Sequence, residues 1–293
     1  MLALESRFDW YTCTIPHSVS KVRSQLAAML GPSFRWEEAK SKQKQYPQAV
    51  KVFDAEGFEQ FTLMWGGKPP NIHPLLIVSS DPASTIAPLV RKLFPDHWCS
   101  RVDVCIDLCR ENVIYEIIAV LEQIAAQFPR VKFDRQGPAL GIHPVGGTSF
   151  YFGTKGGGVR VNVYEKAKEQ FEKTGDRALL LSYGSKWVRV EVRYYCGDFD
   201  KALKLRAARL EPHEFWGASR WSQEIARRVA GLDIPAMQRR ERRDDDWFRA
   251  EAWFWKQAGP TLEKIYYEIC NGDAERFGLY MMQRRGRPIA DAG

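Results

Sequence analysis

Three segments of this 293-residue chain set acids, arginines and a tyrosine on one alternating face and valines on the other. Residues 101–110 read RVDVCIDLCR. At strand periodicity Val102, Val104, Ile106 and Leu108 share one side, and Arg101, Asp103, Cys105 and Asp107 the other. Residues 159–166, VRVNVYEK, repeat the pattern with Val159, Val161 and Val163 against Arg160, Asn162, Tyr164 and Lys166. Residues 187–195, WVRVEVRYY, set Val188, Val190, Val192 and Tyr194 against Trp187, Arg189, Glu191, Arg193 and Tyr195. If the three valine faces share one core, Asp103, Asp107 and Glu191 converge among arginines and a tyrosine. Carboxylates so spaced can bind a hard divalent cation through oxygen, and arginines beside them suit phosphate. The alternative is a charge-compensated sheet face in solvent. Crowding a phenol, three acids and several arginines onto one surface argues for a bound partner, since the arrangement is costly without one.

The elements that must carry these strands follow from pattern and punctuation. Residues 7–15 read as a strand. Ser18 or Ser20 caps a helix with Val19, Val22, Leu26, Met29 and Leu30 at helical spacing, stopped by Gly31 and Pro32. After a polar loop, AVKVF and FEQFTLMW form a hairpin, LLIVS is a short strand, and Asp81-Pro82 starts a helix to about Phe94. The central strand leads to a helix from about Asn112 to Gln127. A second hairpin, TSFYFG and VRVNVYEK around the turn TKGGG, is followed by a charged linker, the 187–195 strand and a helix over about 198–209. Both halves therefore read strand, helix, hairpin, strand, helix, and Asp9 in RFDWYT sits where Asp103 sits in SRVDVC. The expected fold is α+β: two such units around antiparallel sheet, with a C-terminal helical appendage. The core spans 1–210, in halves of about 1–97 and 98–210. The tail, 211–293, is helical, with a break expected at Gly259-Pro260 and aromatic stripes between arginines.

Composition narrows the partners. The net charge of +7 and the clusters Arg239, Arg240, Arg242, Arg243 and 284–287 favour an anionic partner. The six cysteines show no CxxC pair, which reads as reduced thiols in a cytosolic protein and not as a zinc site. The start, MLALESRFDWYTC, lacks a basic segment followed by an apolar run, so no secretion signal is expected. No window approaches ~18 uncharged apolar residues, so no membrane span is expected. The five histidines are scattered without metal-ligand spacing. GTKGGGVR lacks the GxxxxGK[ST] pattern and leads into a strand, which makes it a hairpin turn and not a phosphate loop.

The ordered set FDWYTCTIP, LMWGG, SRVDVCIDL, SFYFGTKGGGVRVNVYEKAKE and WVRVEVRYY resembles the replication initiation factors of filamentous phages and rolling-circle plasmids, which are related to relaxases of conjugative elements. The similarity runs over about residues 7–283 and includes the QAGPTL segment of the tail. The resemblance implies a metal-dependent endonuclease and strand transferase. Such an enzyme nicks one strand of a double-stranded origin through a tyrosine, stays on the 5′ phosphate, and later rejoins the strand. It implies Asp103, Asp107 and Glu191 as ligands of Mg2+ or Mn2+. Its implied partners are double-stranded origin DNA, the single-stranded nicked product, a host helicase and a second copy as a homodimer. Arg189 and Lys166 join Glu191 around the reacting phosphate, and Arg101, Arg160, Arg193, Lys155 and the 239–243 arginines bind DNA.

One position departs from the family. The staphylococcal-plasmid branch carries its nucleophile in an Arg-Tyr-Glu strand, and this chain reads Arg189, Val190, Glu191. The remaining candidates are Tyr164, Tyr195 and Tyr151. Tyr164 is favoured because Asn162 and Lys166 flank it on the polar face, where they can hold a phosphate and favour a phenolate. Tyr195 shares the face of Glu191 but sits four residues along, roughly 13 Å at strand rise. Two other readings stay open: a catalytically silent DNA-binding relative acting as repressor or recruitment factor, and a metal-dependent nuclease that uses water.

Overall fold

The valine faces do share one core. The computed structural model describes residues 5–138, 147–196, 201–237 and 244–284. Its strands are β1 (Arg7–Thr14), β2 (Arg35–Lys40), β3 (Gln48–Phe53), β4 (Glu59–Trp65), β5 (Leu75–Ser79), β6 (Trp98–Cys109), β7 (Phe133–Gln136), β8 (Ser149–Gly153), β9 (Val159–Glu165) and β10 (Trp187–Tyr195). They form one ten-stranded sheet in the order β2-β3-β4-β5-β1-β6-β10-β9-β8-β7. Every neighbouring pair is antiparallel.

That order contains the expected repeat of one strand arrangement. Each half places its first strand, β1 or β6, at the centre and then returns from the outer edge inward, β2 to β5 or β7 to β10. The two first strands pair with each other, so the halves meet back to back. Each half also gains a strand that the pattern did not announce. β2, RWEEAK, and β7, FDRQ, lie at the two edges of the sheet, where a charged, one-sided strand suffices and hydrophobic alternation is weak.

Helices cover the valine side. Val22 and Leu26 of α1 (Val19–Leu30), Ile86 and Val90 of α2 (Pro82–Leu93), and Ile114, Ile117, Leu121 and Ile124 of α3 (Val113–Gln127) join Val102, Val104, Val161, Val190 and Val192 in one buried cluster. Ser18 caps α1 through its side chain, as expected, whereas Asp81 makes no side-chain cap on α2. The charged linker after β9 is helical: α4 (Lys166–Thr174) and α5 (Arg177–Tyr183). Lys166 is therefore the first residue of a helix and not the end of a strand. After α6 (Lys201–Ala207), a 3₁₀ turn (Pro212–Ala218) and α7 (Arg220–Ile225) also reach the core through Phe215, Trp216 and Ile225.

The chain separates into two compact units, 1–237 and 238–293. Residues 211–237 belong with the sheet because their aromatic and aliphatic side chains complete its core. In the second unit α8 (Asp244–Lys264) runs through Gly259 and Pro260 without the expected break, the ring forfeiting one backbone bond inside the helix. A π-helical turn (Ile265–Ile269) and α9 (Ala274–Arg284) follow, with Tyr266 edge-on to Phe277. Among the described residues no helix is long and apolar enough to cross a membrane.

Trp216 tests the attachment of 211–237 to the sheet. It is fully buried and its indole N–H donates to Ser6 Oγ at 3.2 Å. Trp216→Ala should cost about 3–5 kcal/mol in urea denaturation. A change below about 1 kcal/mol would remove this segment from the core.

Candidate active site

The sheet face opposite the helices carries the polar side chains, and the antiparallel register arranges them in rows. Trp10 lies opposite Asp103, Asp103 opposite Arg193, and Arg193 opposite Arg160. The neighbouring row sets Cys105, Glu191, Asn162 and Tyr151 across four strands, and the next sets Asp107, Arg189, Tyr164 and Ser149. A bulge in β1 between Phe8 and Trp10 breaks the alternation there. Asp9 and Trp10 both face the polar side as a result, and both line a cleft of about 400 Å³. Asp103, Glu191, Arg193, Tyr164 and Tyr151 line it from the sheet, and Lys166, Glu169 and Lys173 of α4 add a wall.

In the cleft Asp103 and Glu191 are 1% and 2% exposed. Burial, opposed by the bonds from Arg101, pushes the Asp103 carboxyl well above the usual range, and the charge of Glu191 adds to the shift. For Glu191 burial acts in the same direction, but Arg193 and the bond from Asp103 outweigh it and hold this carboxylate low. Arg101 Nε donates to Asp103 Oδ1 at 2.9 Å, and Arg193 Nε to Glu191 Oε1 at 2.7 Å. Arg101 also stacks on Trp10, 4.3 Å from the ring centre.

Asp107 lies apart from this pair. Arg189 grips it bidentately, Nε to Oδ1 at 2.7 Å and Nη2 to Oδ2 at 2.8 Å, and Arg7 Nη2 reaches Oδ2 at 2.5 Å. Burial would raise the Asp107 pKa; the bonds from Arg189 and Arg7 overcome it and lower it. Arg189 also donates through Nη1 to Asp9 Oδ1 at 2.6 Å. Its guanidinium is 1% exposed, so it lies beneath the cleft and does not reach a phosphate there. The expected trio of Asp103, Asp107 and Glu191 thus divides: alternation put Asp107 on the right face, but an arginine two strands from Asp9 took its carboxylate. Among the described residues no group of three or more His, Cys, Asp or Glu side chains has metal-holding geometry.

Tyr164 opens onto the cleft. Burial, then the charges of Glu191 and Asp9, raise its phenol far above the ordinary value, against the opposing charge of Arg189. Lys166 Nζ lies 5.7 Å from the Tyr164 ring centre, but its ammonium is paired with Glu169 at 2.9 Å. The junction that aims both residues is a buried ion pair, Lys168 with Glu165 at 2.9 Å. Glu165 also accepts from Ser185 Oγ at 2.6 Å and Thr148 N at 3.1 Å. Tyr151 lies under Arg160, 3.9 Å from guanidinium to ring centre, and the buried Nε of Arg160 has no partner. Tyr195 is away from the cleft lining and lies near Arg101. Val190 is 1% exposed on the helix side of the sheet, so the family's tyrosine position is core here.

Residues 99–205 match the family model for replication initiation factor. The resemblance seen in the motifs stands on that segment. Among solved structures, the rolling circle replication initiator protein from Geobacillus stearothermophilus is similar at 14% identity and a TM-score of 0.49, covering 80% of this chain and 100% of that one. No curated protein sequence matches the chain.

The matched segment, 99–205, holds Arg101, Asp103, Asp107, Tyr151, Arg160, Tyr164, Lys166, Arg189, Glu191 and Arg193, while Asp9, Trp10 and Ser79 reach the cleft from outside it. Of the expected DNA-binding residues, Arg101, Arg160 and Arg193 lie on the polar face. Lys155 falls in a 3₁₀ turn whose lysine side chain lies outside the described residues, as do Arg239, Arg240, Arg242 and Arg243. Reading the strands alone missed Trp10, which needed the bulge, and Glu169 and Lys173, which needed the linker to be a helix. The i,i+4 spacing of those last two was the available signal.

Removing the guanidinium of Arg189 should cost about 3–5 kcal/mol, since it strands buried charge on Asp107 and Asp9. The measurement is the urea midpoint of Arg189→Ala. Because the folded Asp107 pKa is lowered, its contribution is fully present above the unfolded value of about 3.9 and lost as pH falls through the lower folded value. Wild-type stability should therefore drop on acidification below about pH 4, and that drop should be shallower in Arg189→Ala.

Proposed function

We propose that the chain is a rolling-circle replication initiator that binds a double-stranded origin and nicks and rejoins one strand through a phosphotyrosyl intermediate. The observation that carries this reading is the convergence of Tyr164 with the Asp103–Glu191 pair in an open, arginine-rimmed cleft inside the replication initiation segment. In the forward step the Tyr164 oxygen bonds to phosphorus, the bond from phosphorus to the 3′ oxygen breaks, the phenol proton passes to a carboxylate and the leaving oxygen takes up a proton. The reverse step reseals the strand. The phosphotyrosyl bond retains the energy of the phosphodiester, so no nucleotide triphosphate is required.

The donor set fits a hard cation, Mg2+ or Mn2+. Asp103 and Glu191 offer oxygen only. Two carboxylates suffice where waters and substrate phosphate complete the shell, as is usual for Mg2+. Such an ion would polarise the scissile phosphate and offset the charge developing on its oxygens. Asp103 and Glu191 would hold it, Arg101 and Arg193 would turn to the phosphate, and the phenol of Tyr164 would lose the acidic environment that now disfavours its ionisation. A host helicase and a second copy of the chain remain the proposed protein partners.

One observation favours a second reading. Asp103 and Glu191 are each already bonded by an arginine, and Tyr164 is held protonated, which suits a silent relative that binds origin DNA without cutting it. Incubation with supercoiled origin DNA and Mn2+, followed by denaturing electrophoresis, separates the readings. A covalent adduct that maps to Tyr164 and disappears in Tyr164→Phe supports the nickase. An adduct at Tyr151 or Tyr195 refutes the assignment, nicking without an adduct points to water as nucleophile, and binding alone points to the silent relative.

Asp103→Asn and Glu191→Gln should each reduce nicking at least a hundredfold and leave DNA affinity within about tenfold, or roughly 1.4 kcal/mol. Retention of full activity by the double variant would exclude the pair as the cation site. Affinity should also fall about a hundredfold between 50 and 200 mM salt if about four phosphates are neutralised, and a flat response would argue against nucleic acid.

A further inference from the structure

The polar face does not end at the cleft. On the first half of the sheet it continues into a trough of about 540 Å³ lined by Lys40, Lys42 and Lys51 and by the apolar side chains of Ile77 and the nearly covered Met64, and it shares Trp10 and Ser79 with the cleft. One register row joins the two: Lys51 lies opposite Thr62, Thr62 opposite Ile77, Ile77 opposite Thr12, and Thr12 opposite Arg101. Four strand spacings put Lys51 about 19 Å from Arg101. Trp10 spans the boundary, with its ring under Arg101 and its N–H donated to Thr12 Oγ1 at 2.7 Å.

The repeat sharpens the contrast between the two faces. Where β6 and β10 carry Asp103, Asp107 and Glu191, the corresponding strands β1 and β5 present Asp9, held by Arg189, and then Thr12, Ile77 and Ser79. The carboxylate among the residues lining the trough is Glu59, bonded to Lys51, and Glu37 lies opposite Lys51 on the edge strand. Three lysines thus line the trough with one acid.

Lysines beside apolar and aromatic side chains match one polymer: a single strand of DNA, whose phosphates meet the ammonium groups while its unpaired bases lie on the apolar side chains. A duplex turns its phosphates outward and keeps its base faces stacked inside, so it has no use for Met64 and Ile77. We propose that the trough of the first half is a single-strand subsite that holds the DNA on one side of the scissile phosphate. The assignment rests on the nickase reading for its role, although binding itself can be measured independently.

The test uses the full chain and a fluorescein-labelled oligothymidylate of about twelve nucleotides, followed by anisotropy. The triple variant Lys40→Ala, Lys42→Ala, Lys51→Ala should bind at least tenfold more weakly. Its plot of log affinity against log salt should be shallower by about two, from three phosphates at about 0.7 each. Arginine at the same three positions should restore both. Photocrosslinking of an oligonucleotide carrying 4-thiothymidine should label peptides that contain Trp10 or Met64. Absence of oligothymidylate binding by the wild type, an unchanged triple-alanine variant, an equal loss in the arginine variant, or crosslinks confined to other peptides would each overturn the subsite. The adduct assay on supercoiled DNA reports on the nickase reading alone. Wild-type protein that binds the oligonucleotide through the lysines but forms no adduct would leave the subsite standing and remove the nickase.

Discussion

A guanidinium without access to water needs anionic partners at fixed positions, and Arg189 obtains them from both halves of the sheet. It is 1% exposed and bonded to Asp107 on β6 and Asp9 on β1. Leaving any member of such a group unpaired in the interior is costly. The constraint therefore ties β10 to β6 and β1 across the seam where the two halves meet. It also explains the bulge at Asp9. A strictly alternating β1 could not direct both Asp9 and Trp10 to the polar side, and the extra residue lets one satisfy Arg189 while the other closes the cleft.

Arg189 also divides the acids by task. With Asp107 held by Arg189 and Arg7, Asp103 and Glu191 are left as a buried pair, bonded by Arg101 and Arg193 respectively. Tyr164 sits beside this pair on the next strand but one from Asp103, where burial and then the charges of Glu191 and Asp9 disfavour its ionisation.

Much of this was legible in the chain itself. Period-two alternation in 101–108, 159–164 and 187–195 identified the strands, their faces and the convergence of acids with arginines, because one face had to be core. Alternation specifies a side and not a partner, however. Nothing in RVDVCIDLCR distinguishes Asp103, which meets Glu191, from Asp107, which meets Arg189, since that depends on the register with β10 and on an aspartate 98 residues earlier in the sequence. β2 and β7 escaped because edge strands in solvent lack alternation, and α4 escaped because its charged surface resembles a linker until Lys168 is seen buried against Glu165. Pro260 read as a stop, but a long helix tolerates one missing donor.

The two halves share a topology, and their polar faces have diverged in a way that the topology permits. Residues on the helix side are constrained by a common core, so Val50, Val52, Leu76 and Val78 mirror the valines of the second half. Residues on the open side answer only to their ligand. On the second half that freedom was used for carboxylates, arginines and phenols, and on the first for lysines over methionine and isoleucine. Because β1 and β6 are paired at the centre, the two polar faces adjoin. A repeated antiparallel topology thus places a face of acids, arginines and phenols beside one lined by lysines through strand pairing alone.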